Sequence, residues 1–279
     1  MRDLLPLTPL VVLALCVPAR AARVLVVATD PMSASTREAY DALVAEVGEP
    51  VELADAASPL PPGPHGVVVA LGGRAAARVR DAKAPVVVAL APKFRGEARG
   101  GLPLIRVAMT PSPERFASLL AASGARRLLA LRAATGDRDY LRRAAACAKA
   151  AGVAVDDAAL VSVDDLPSVL RAASSSVDAV WLAPDPDAVT PESFGVVREF
   201  ARARGVPFFA PTSGLVIDGA RGELAMTFRD CGRAAGAAAR SLLDGRAVAK
   251  VVFPADAPAG DPVLLSTRTL APSSAKIAR

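Results

Sequence analysis

The chain has 279 residues, 52% apolar and 22% charged, which is enough for one large folded domain or two smaller ones and excludes a disordered protein. The net charge is +5, but the arginines are spread along the chain and only 4% of the residues are aromatic, so nucleic acid is not an expected partner. No internal apolar stretch reaches the ~18 residues that a membrane-spanning helix needs.

The N-terminal segment has the three parts of a secretory signal peptide. Arg2 precedes an apolar run over residues 4–17, and Ala19 and Ala21 form a small-residue cleavage pattern. We therefore expect residues 1–21 to be cleaved on secretion, with an uncleaved signal anchor as the alternative. A lipid anchor at Cys16 is not expected, because Leu15 stands where a lipoprotein signal has a small residue.

Apolar strands alternate with helices in the first half. Ser35 and Glu38 form a capping box for a first helix that ends at Gly48, and Ser112 with Pro113 begins a helix that ends at Gly124. A further helix is predicted from Gly73 to about residue 81. Predicted strands cover residues 23–29, 51–54, 66–71, 86–91 and 104–108.

The second half repeats this alternation. Predicted strands cover residues 128–131, 160–163, 179–183, 207–210, 224–228, 251–253 and 263–265, and predicted helices cover residues 137–151, 166–173, 191–205 and 231–244. We interpret the aspartate pairs at 156–157 and 164–165 as turn and cap residues beside a short strand, and Trp181 as a core residue. Segments 66–92 and 178–213 share one strand–turn–helix–strand unit, which predicts two similar α/β lobes facing each other across a cleft.

Ligands of open parallel sheets collect beyond the carboxyl ends of the strands, where helix N-termini leave N–H groups free. This rule selects candidates in both halves of the chain, although each of them also suits an ordinary turn or cap. The candidates of the first half are Thr29, Asp30, Ser33, Gly72, Gly73, Arg74, Ala91 and Pro92. Those of the second half are Arg132, Thr135, Asp185, Asp187 and Ser213.

Catalytic and cofactor motifs are missing from the sequence. His65 is the only histidine and lies in a proline-rich loop over residues 57–66, without a predictable Ser or Cys partner. Neither a G-x-S-x-G elbow, nor a nucleotide-binding glycine pattern, nor a Cys/His spacing suited to a metal occurs. We therefore predict a protein that is not an enzyme and that uses no cofactor or metal.

Several segments together resemble the ABC-transporter substrate-binding proteins of the type I periplasmic-binding-protein superfamily. Asp185 matches an aspartate that ends a strand in this family, and Gly232 to Gly245 match its glycine–arginine helix. GVVVALGGRAA at 66–76 is similar to a turn of the family. The other segments are VDAVWLAPDPDAV (177–189), GVPFFAP (205–211), AMTFRDCGRAAGAAARSLLDGR (225–246) and PVLLSTRTLAPSSAKIA (262–278).

The resemblance implies a monomeric periplasmic receptor that closes a hinge on a small-molecule solute and delivers it to an ABC permease in the inner membrane. Its fold would be two Rossmann-like lobes, each a parallel sheet flanked by helices, around a central cleft. The N-terminal lobe would comprise residues 22–110 plus 229–250, and the C-terminal lobe residues 111–228 plus 251–279.

Two departures from the family pattern affect the expected solute. Pro186 replaces a polar residue, and residues 227–229 (TFR) replace an aspartate and tyrosines that tend to face the cleft. An aspartate there would suit an ammonium group, so its loss, with Arg74, Arg132 and Arg229 available, favours an anionic or apolar solute. Arg229 therefore joins the candidate ligand-binding residues. The alternative is a sensor or accessory subunit of a cell-envelope complex, with a degenerate or absent small-molecule site.

Overall fold

The computed structural model describes residues 23–97, 100–173, 175–183, 185, 187–210, 222–223 and 226–254. In these ranges the chain forms two parallel sheets with helices on both faces, which confirms the predicted α/β fold of two Rossmann-like lobes. None of the helices in this part of the chain has the length and apolar character that a bilayer crossing requires. The predicted signal peptide, Cys16, Ser213 and the strand at 263–265 lie outside the described residues.

The first sheet takes strands from both ends of the described chain. Its strands are β1 (Val24–Ala28), β2 (Val51–Asp55), β3 (Val67–Leu71), β4 (Val86–Ala89), β5 (Leu104–Val107) and β11 (Val251–Val252). Their order across the sheet is β11-β5-β4-β3-β1-β2, with every pairing parallel. Its helices are α1 (Ala34–Val47), α2 (Gly73–Arg78) and α7 (Phe228–Leu243).

The second sheet uses the middle of the chain. Its strands are β6 (Arg127–Ala133), β7 (Ala154–Leu160), β8 (Ala179–Leu182), β9 (Phe208–Ala210) and β10 (Gly222–Glu223), in the order β10-β9-β8-β6-β7 and again all parallel. Its helices are α3 (Pro113–Ser123), α4 (Arg138–Ala150), α5 (Leu166–Ala173) and α6 (Pro191–Arg204), with a 3-10 turn at Val163–Asp165.

Both faces of each sheet are buried, which explains the near-continuous apolar strands. In β1, Val24 and Val26 pack in a core with α1 and α7, while Leu25 and Val27 pack in a second core with α2. The second sheet likewise separates a core with α5 and α6 from a core with α3 and α4. Helices on both faces are the packing that parallel sheets require.

Several element boundaries differ from the sequence prediction. Helix α1 begins after Ser33, not at the predicted box on Ser35, because the Ser33 hydroxyl accepts the amide N–H of Thr36. The strand predicted over 224–228 is wrong at its end, because Thr227 caps α7 through the Asp230 amide. The strand predicted at 160–163 is wrong, because β7 (Ala154–Leu160) ends at Leu160 and Val163 already begins the 3-10 turn.

The division of the chain between the lobes remains a proposal, and the strand pairing bears on one boundary. Val251 and Val252 pair in parallel with Arg106 and Val107 of β5. These two residues therefore extend the first sheet, whereas the predicted division placed everything from residue 251 onward in the C-terminal lobe. Helix α7 packs against α1 on the same sheet.

The aspartate pair at 156–157 lies within β7 and not at a turn, which corrects the sequence interpretation. Each carboxylate has an arginine partner on the neighbouring strand β6. Asp157 accepts two hydrogen bonds of 2.8 Å from the guanidinium of Arg132, which is only 6% exposed, whereas Asp156 pairs with the half-exposed Arg127 at 2.8 Å. The two arginines of β6 neutralise the carboxylates, which allows two adjacent aspartates to lie in one strand. At 164–165 the cap interpretation is confirmed, since Asp165 closes a capping box with Ser162.

These two ion pairs provide a matched test. Asp157→Ala leaves the buried Arg132 guanidinium without its carboxylate, so we expect it to lower the free energy of unfolding by about 1–3 kcal/mol. Asp156→Ala removes an exposed pair and is expected to cost under about 1 kcal/mol. Urea unfolding of both variants checks this, and equal losses would contradict the different burial of the two arginines.

Helices α1 and α7 approach each other more closely than side chains would permit. A Cβ atom added to Gly232 would lie 2.0 Å from the carbonyl oxygen of Ala39, and one added to Gly236 would lie 2.8 Å from that of Leu43. Both obstacles are backbone atoms that cannot rotate away. The glycines of the family-like helix therefore serve helix packing in the first lobe.

Alanine substitutions distinguish packing from helix propensity. Gly232→Ala places a methyl group against the backbone of α1, and we expect a loss of about 1–3 kcal/mol in the free energy of unfolding. Gly195→Ala in α6 is the control: no atom within 4 Å opposes its Cβ, so we expect a gain of about 0.5–1 kcal/mol. A stabilised Gly232→Ala variant would show that the helices are not in close contact.

Burial makes the Cys231 thiol a source of pH dependence. Desolvation, with a smaller contribution from Asp230, raises the pKa of Cys231 from its ordinary 9.0 to about 12. The unfolded chain therefore loses the thiol proton at a lower pH than the folded protein does. The contribution of this thiol to the free energy of unfolding is complete below about pH 9 and falls as the pH rises towards 12. Between pH 8 and 10.5 the wild type should lose about 2 kcal/mol more than Cys231→Ala in urea unfolding. Parallel pH profiles would contradict this.

Candidate functional site

A cavity of about 340 Å³ lies between the two sheets, where loops after the strands of both lobes meet. The first lobe contributes the loop after β4, the end of β5 and the segment that leads from β5 to α3. The second lobe contributes the loops after β6 and β8 and the first turns of α4. Val251 and Phe253 line it as the chain leaves the first sheet. The volume is in the range of small-molecule sites.

Aromatic rings form much of the cavity wall. Trp181 is 1% exposed and packs against Phe116 with the ring centroids 4.6 Å apart, which confirms its prediction as a core residue. The same side chain also lines the cavity. The rings of Tyr140 and Phe253 lie 6.1 Å apart, and the Arg143 guanidinium stacks over Phe253 at 5.6 Å. These rings give part of the wall flat apolar surfaces.

Three residues that line the cavity each have a buried polar atom without a hydrogen-bond partner among the described residues: Tyr140 Oη, Trp181 Nε1 and Asp185 Oδ2. Desolvation by burial raises the pKa of the Tyr140 phenol. An unsatisfied buried polar group costs about 1–3 kcal/mol, so these atoms would gain from a bound solute that supplies their partners.

Local geometry holds the Asp185 carboxylate at the end of β8. Its Oδ1 accepts the amide N–H of Asp187 at 3.0 Å. Its Oδ2 lies against Gly136, where an added Cβ would approach it to 2.5 Å, so a larger residue at position 136 would displace the carboxylate from its present position. Trp181, Ala183 and Asp185 all line the cavity, two residues apart from one another.

Ion pairs neutralise most of the charge around the cavity. Two of them join the lobes: Lys93 pairs with Asp187, and Arg106 pairs with Asp137 at 3.5 Å. The Arg132 guanidinium is engaged by Asp157 in the pair described above and also donates to the carbonyl of Ala133 at 3.0 Å. Arg132, which the sequence analysis offered to an anionic solute, is thus already occupied.

The structure brings six of the sequence-predicted site residues to the cavity and places seven others away from it, while Ser213 lies outside the described residues. Those at the cavity are Ala91, Pro92, Arg132, Thr135, Asp185 and Asp187. The remaining candidates of the first half follow β1 and β3. The cavity faces β4 and β5 instead, because β5 is the strand from which the chain crosses to the second lobe.

The candidates away from the cavity have structural roles or lie at the surface. The Thr29 hydroxyl accepts the Ala75 amide at 3.0 Å, and an added Cβ at Gly72 would meet that hydroxyl at 2.5 Å. Asp30 accepts the amide of Met32, and Ser33 caps α1. Gly73 and Arg74 are exposed on α2, and Arg229 lies 3.8 Å from Glu38.

Sequence reasoning did not select the aromatic and cationic part of the cavity: Lys93, Arg95, Arg106, Tyr140, Arg143 and Phe253. Arg106 precedes the end of β5, and Tyr140 and Arg143 lie in α4. The rule used in the sequence analysis selects only residues in the loops that follow strand ends. One usable signal is the alternation along β8, which places Trp181 and Ala183 on the same face, since alternate residues of a strand share a face.

Comparison with known proteins gives a family match and a set of similar folds. The family model of ABC transporter substrate-binding proteins matches residues 136–260. No curated protein matches the chain in sequence. An ABC domain from Streptococcus pneumoniae in complex with L-Trp is 17% identical, with a TM-score of 0.54 over 84% of this chain and 90% of that chain.

A ligand-free, open substrate-binding protein with adhesive properties from Clostridium difficile is 14% identical, with a TM-score of 0.56 over the same shares of the two chains, 84% and 90%. At these identities the two structures establish a shared fold. The family match and the fold together confirm the resemblance drawn from the sequence. Residues 136–260 match the family model of ABC transporter substrate-binding proteins, and the described chain has a type I periplasmic-binding-protein-like fold.

Proposed function

We propose that this protein is the solute-binding component of an ABC-type uptake system, a periplasmic receptor that encloses one small, anionic or largely apolar solute between its lobes. The observation that carries the proposal is the interlobe cavity, whose apolar wall contains three buried polar atoms without partners among the described residues.

Chain crossings between the lobes support closure by a hinge. One crossing connects β5 to α3, and another connects β10 to α7. Short connections of this kind can absorb a rotation of two rigid sheets, and a solute that contacts both lobes favours the closed arrangement. The cavity is lined from both sides, so its solute would make such contacts.

The two interlobe ion pairs favour closure without enforcing it. Lys93 and Asp187 are at least half exposed, and Arg106 and Asp137 are 27% and 41% exposed. Pairs of this kind contribute about 0–1 kcal/mol each. The contacts of the solute itself would therefore decide between the open and closed arrangements.

Secretion and delivery to a permease are the other parts of the proposal. The charged and apolar pattern of residues 1–21 supports export, and membership of a substrate-binding family supports an ABC permease as partner. The family description is that of a binding protein and not of an enzyme.

A thermal-shift screen of small organic solutes tests the binding role. A true solute at 100 times its dissociation constant should stabilise the protein by about 2.7 kcal/mol, which is a rise of several degrees in Tm. Ala183→Leu, which fills the cavity, should abolish the shift. Ala203→Leu, on the exposed face of α6, should preserve it.

Two results would contradict the proposal. If no solute shifts the wild type and native mass spectrometry finds none retained, the accessory-subunit alternative is favoured. If a solute binds Ala183→Leu as tightly as the wild type, the site lies outside the cavity.

A further inference from the structure

We infer the class of the solute, an inference that rests on the proposed function. The solute is an organic acid with an apolar body of one ring or of fused rings. It also carries a neutral hydrogen-bond donor, such as a hydroxyl, that donates to Asp185. The inference comes from the groups of the cavity wall that remain unpaired after its internal ion pairs are taken into account. Each unpaired group calls for one feature of the solute.

The unpaired charges call for a carboxylate near the cavity mouth. Three cations of the cavity wall have carboxylate partners, as described above, whereas Arg95 and Arg143 have none among the described residues. Among the described residues, Arg95 donates to the backbone carbonyls of Pro92 and Phe94, and Arg143 stacks on Phe253. Both are exposed side chains that can reorient towards an anion. Against these two positive charges stands the single unpaired carboxylate of Asp185.

Asp185 calls for a hydrogen-bond donor on the solute. Its Oδ2 is buried, is held against Gly136 and can only accept a hydrogen bond while ionised. A hydroxyl or an ammonium could donate to it. Since the unpaired charge around the cavity is positive on balance, a neutral donor avoids the repulsion that an added ammonium would meet.

The remaining groups call for a flat body and an acceptor. Trp181 Nε1–H can only donate, so it needs an acceptor atom on the solute, and the Tyr140 hydroxyl can serve either role. The rings of Trp181, Tyr140 and Phe253 offer apolar faces to a planar solute. A cavity of about 340 Å³ is at the small end of ligand sites, which suits one or two rings.

Four probes that share a benzene ring separate these features: 4-hydroxyphenylacetate, phenylacetate, tyramine and L-tyrosine. We expect calorimetry to find 4-hydroxyphenylacetate the tightest. Loss of the hydroxyl in phenylacetate should weaken binding by about 10- to 100-fold, because a hydrogen bond to a buried carboxylate is lost. Tyramine, which lacks the acid group, should not bind measurably.

Variants assign the features to residues. In Asp185→Asn the advantage of the hydroxyl should shrink to about threefold or less, and in Arg143→Gln both acids should weaken by about tenfold. Asp139→Asn and Arg142→Gln are the matched controls on α4, since this pair is exposed at the surface and does not line the cavity. Urea unfolding establishes that each variant is folded.

The possible failures are distinguishable. Tighter binding of tyramine or L-tyrosine than of 4-hydroxyphenylacetate would show that the site favours an ammonium group and would overturn the inferred class. Equal affinity for phenylacetate and its hydroxylated form would overturn the role of Asp185. If none of the four binds while another solute of the screen does, the class is wrong and the proposed function stands. If nothing binds at all, both fail.

Discussion

The parallel pairing of every described strand is the constraint on which the rest of this structure depends. In a parallel sheet all carboxyl ends lie at one edge, so each lobe has a single edge rich in loops and helix N-termini. The chain crosses between the lobes directly after β5, which brings these two edges together. The cavity is therefore a consequence of strand direction and connection, and the side chains only determine what it can hold.

Most charged side chains of the cavity wall already form ion pairs within the protein. Arg132 is held by Asp157, and two further ion pairs connect the lobes. What remains for a solute among the described residues is a small set of groups: Arg95, Arg143, Asp185, the indole N–H of Trp181 and the phenol of Tyr140. The number of arginines in the sequence is thus a poor guide to solute charge, because it counts cations that already have partners.

Much of the fold was predictable because its signals are local. Apolar runs bounded by turns identified most strands, and Ser112 and Thr190 capped their helices as expected. Errors arose where a tertiary partner overrode the local pattern. The aspartates at 156–157 resemble turn residues until Arg127 and Arg132 on the adjacent strand neutralise them within β7.

The sequence by itself determined the alternation of strands and helices, the two-lobe fold and the family resemblance, because these depend on residue periodicity, caps and motifs along the chain. Only the tertiary structure decided which strand ends face the cavity. That choice follows from sheet order and crossover position, which place the loop after β1 away from the cavity and Tyr140, Trp181 and Arg143 beside it. Such distances between residues remote in sequence have no local signal.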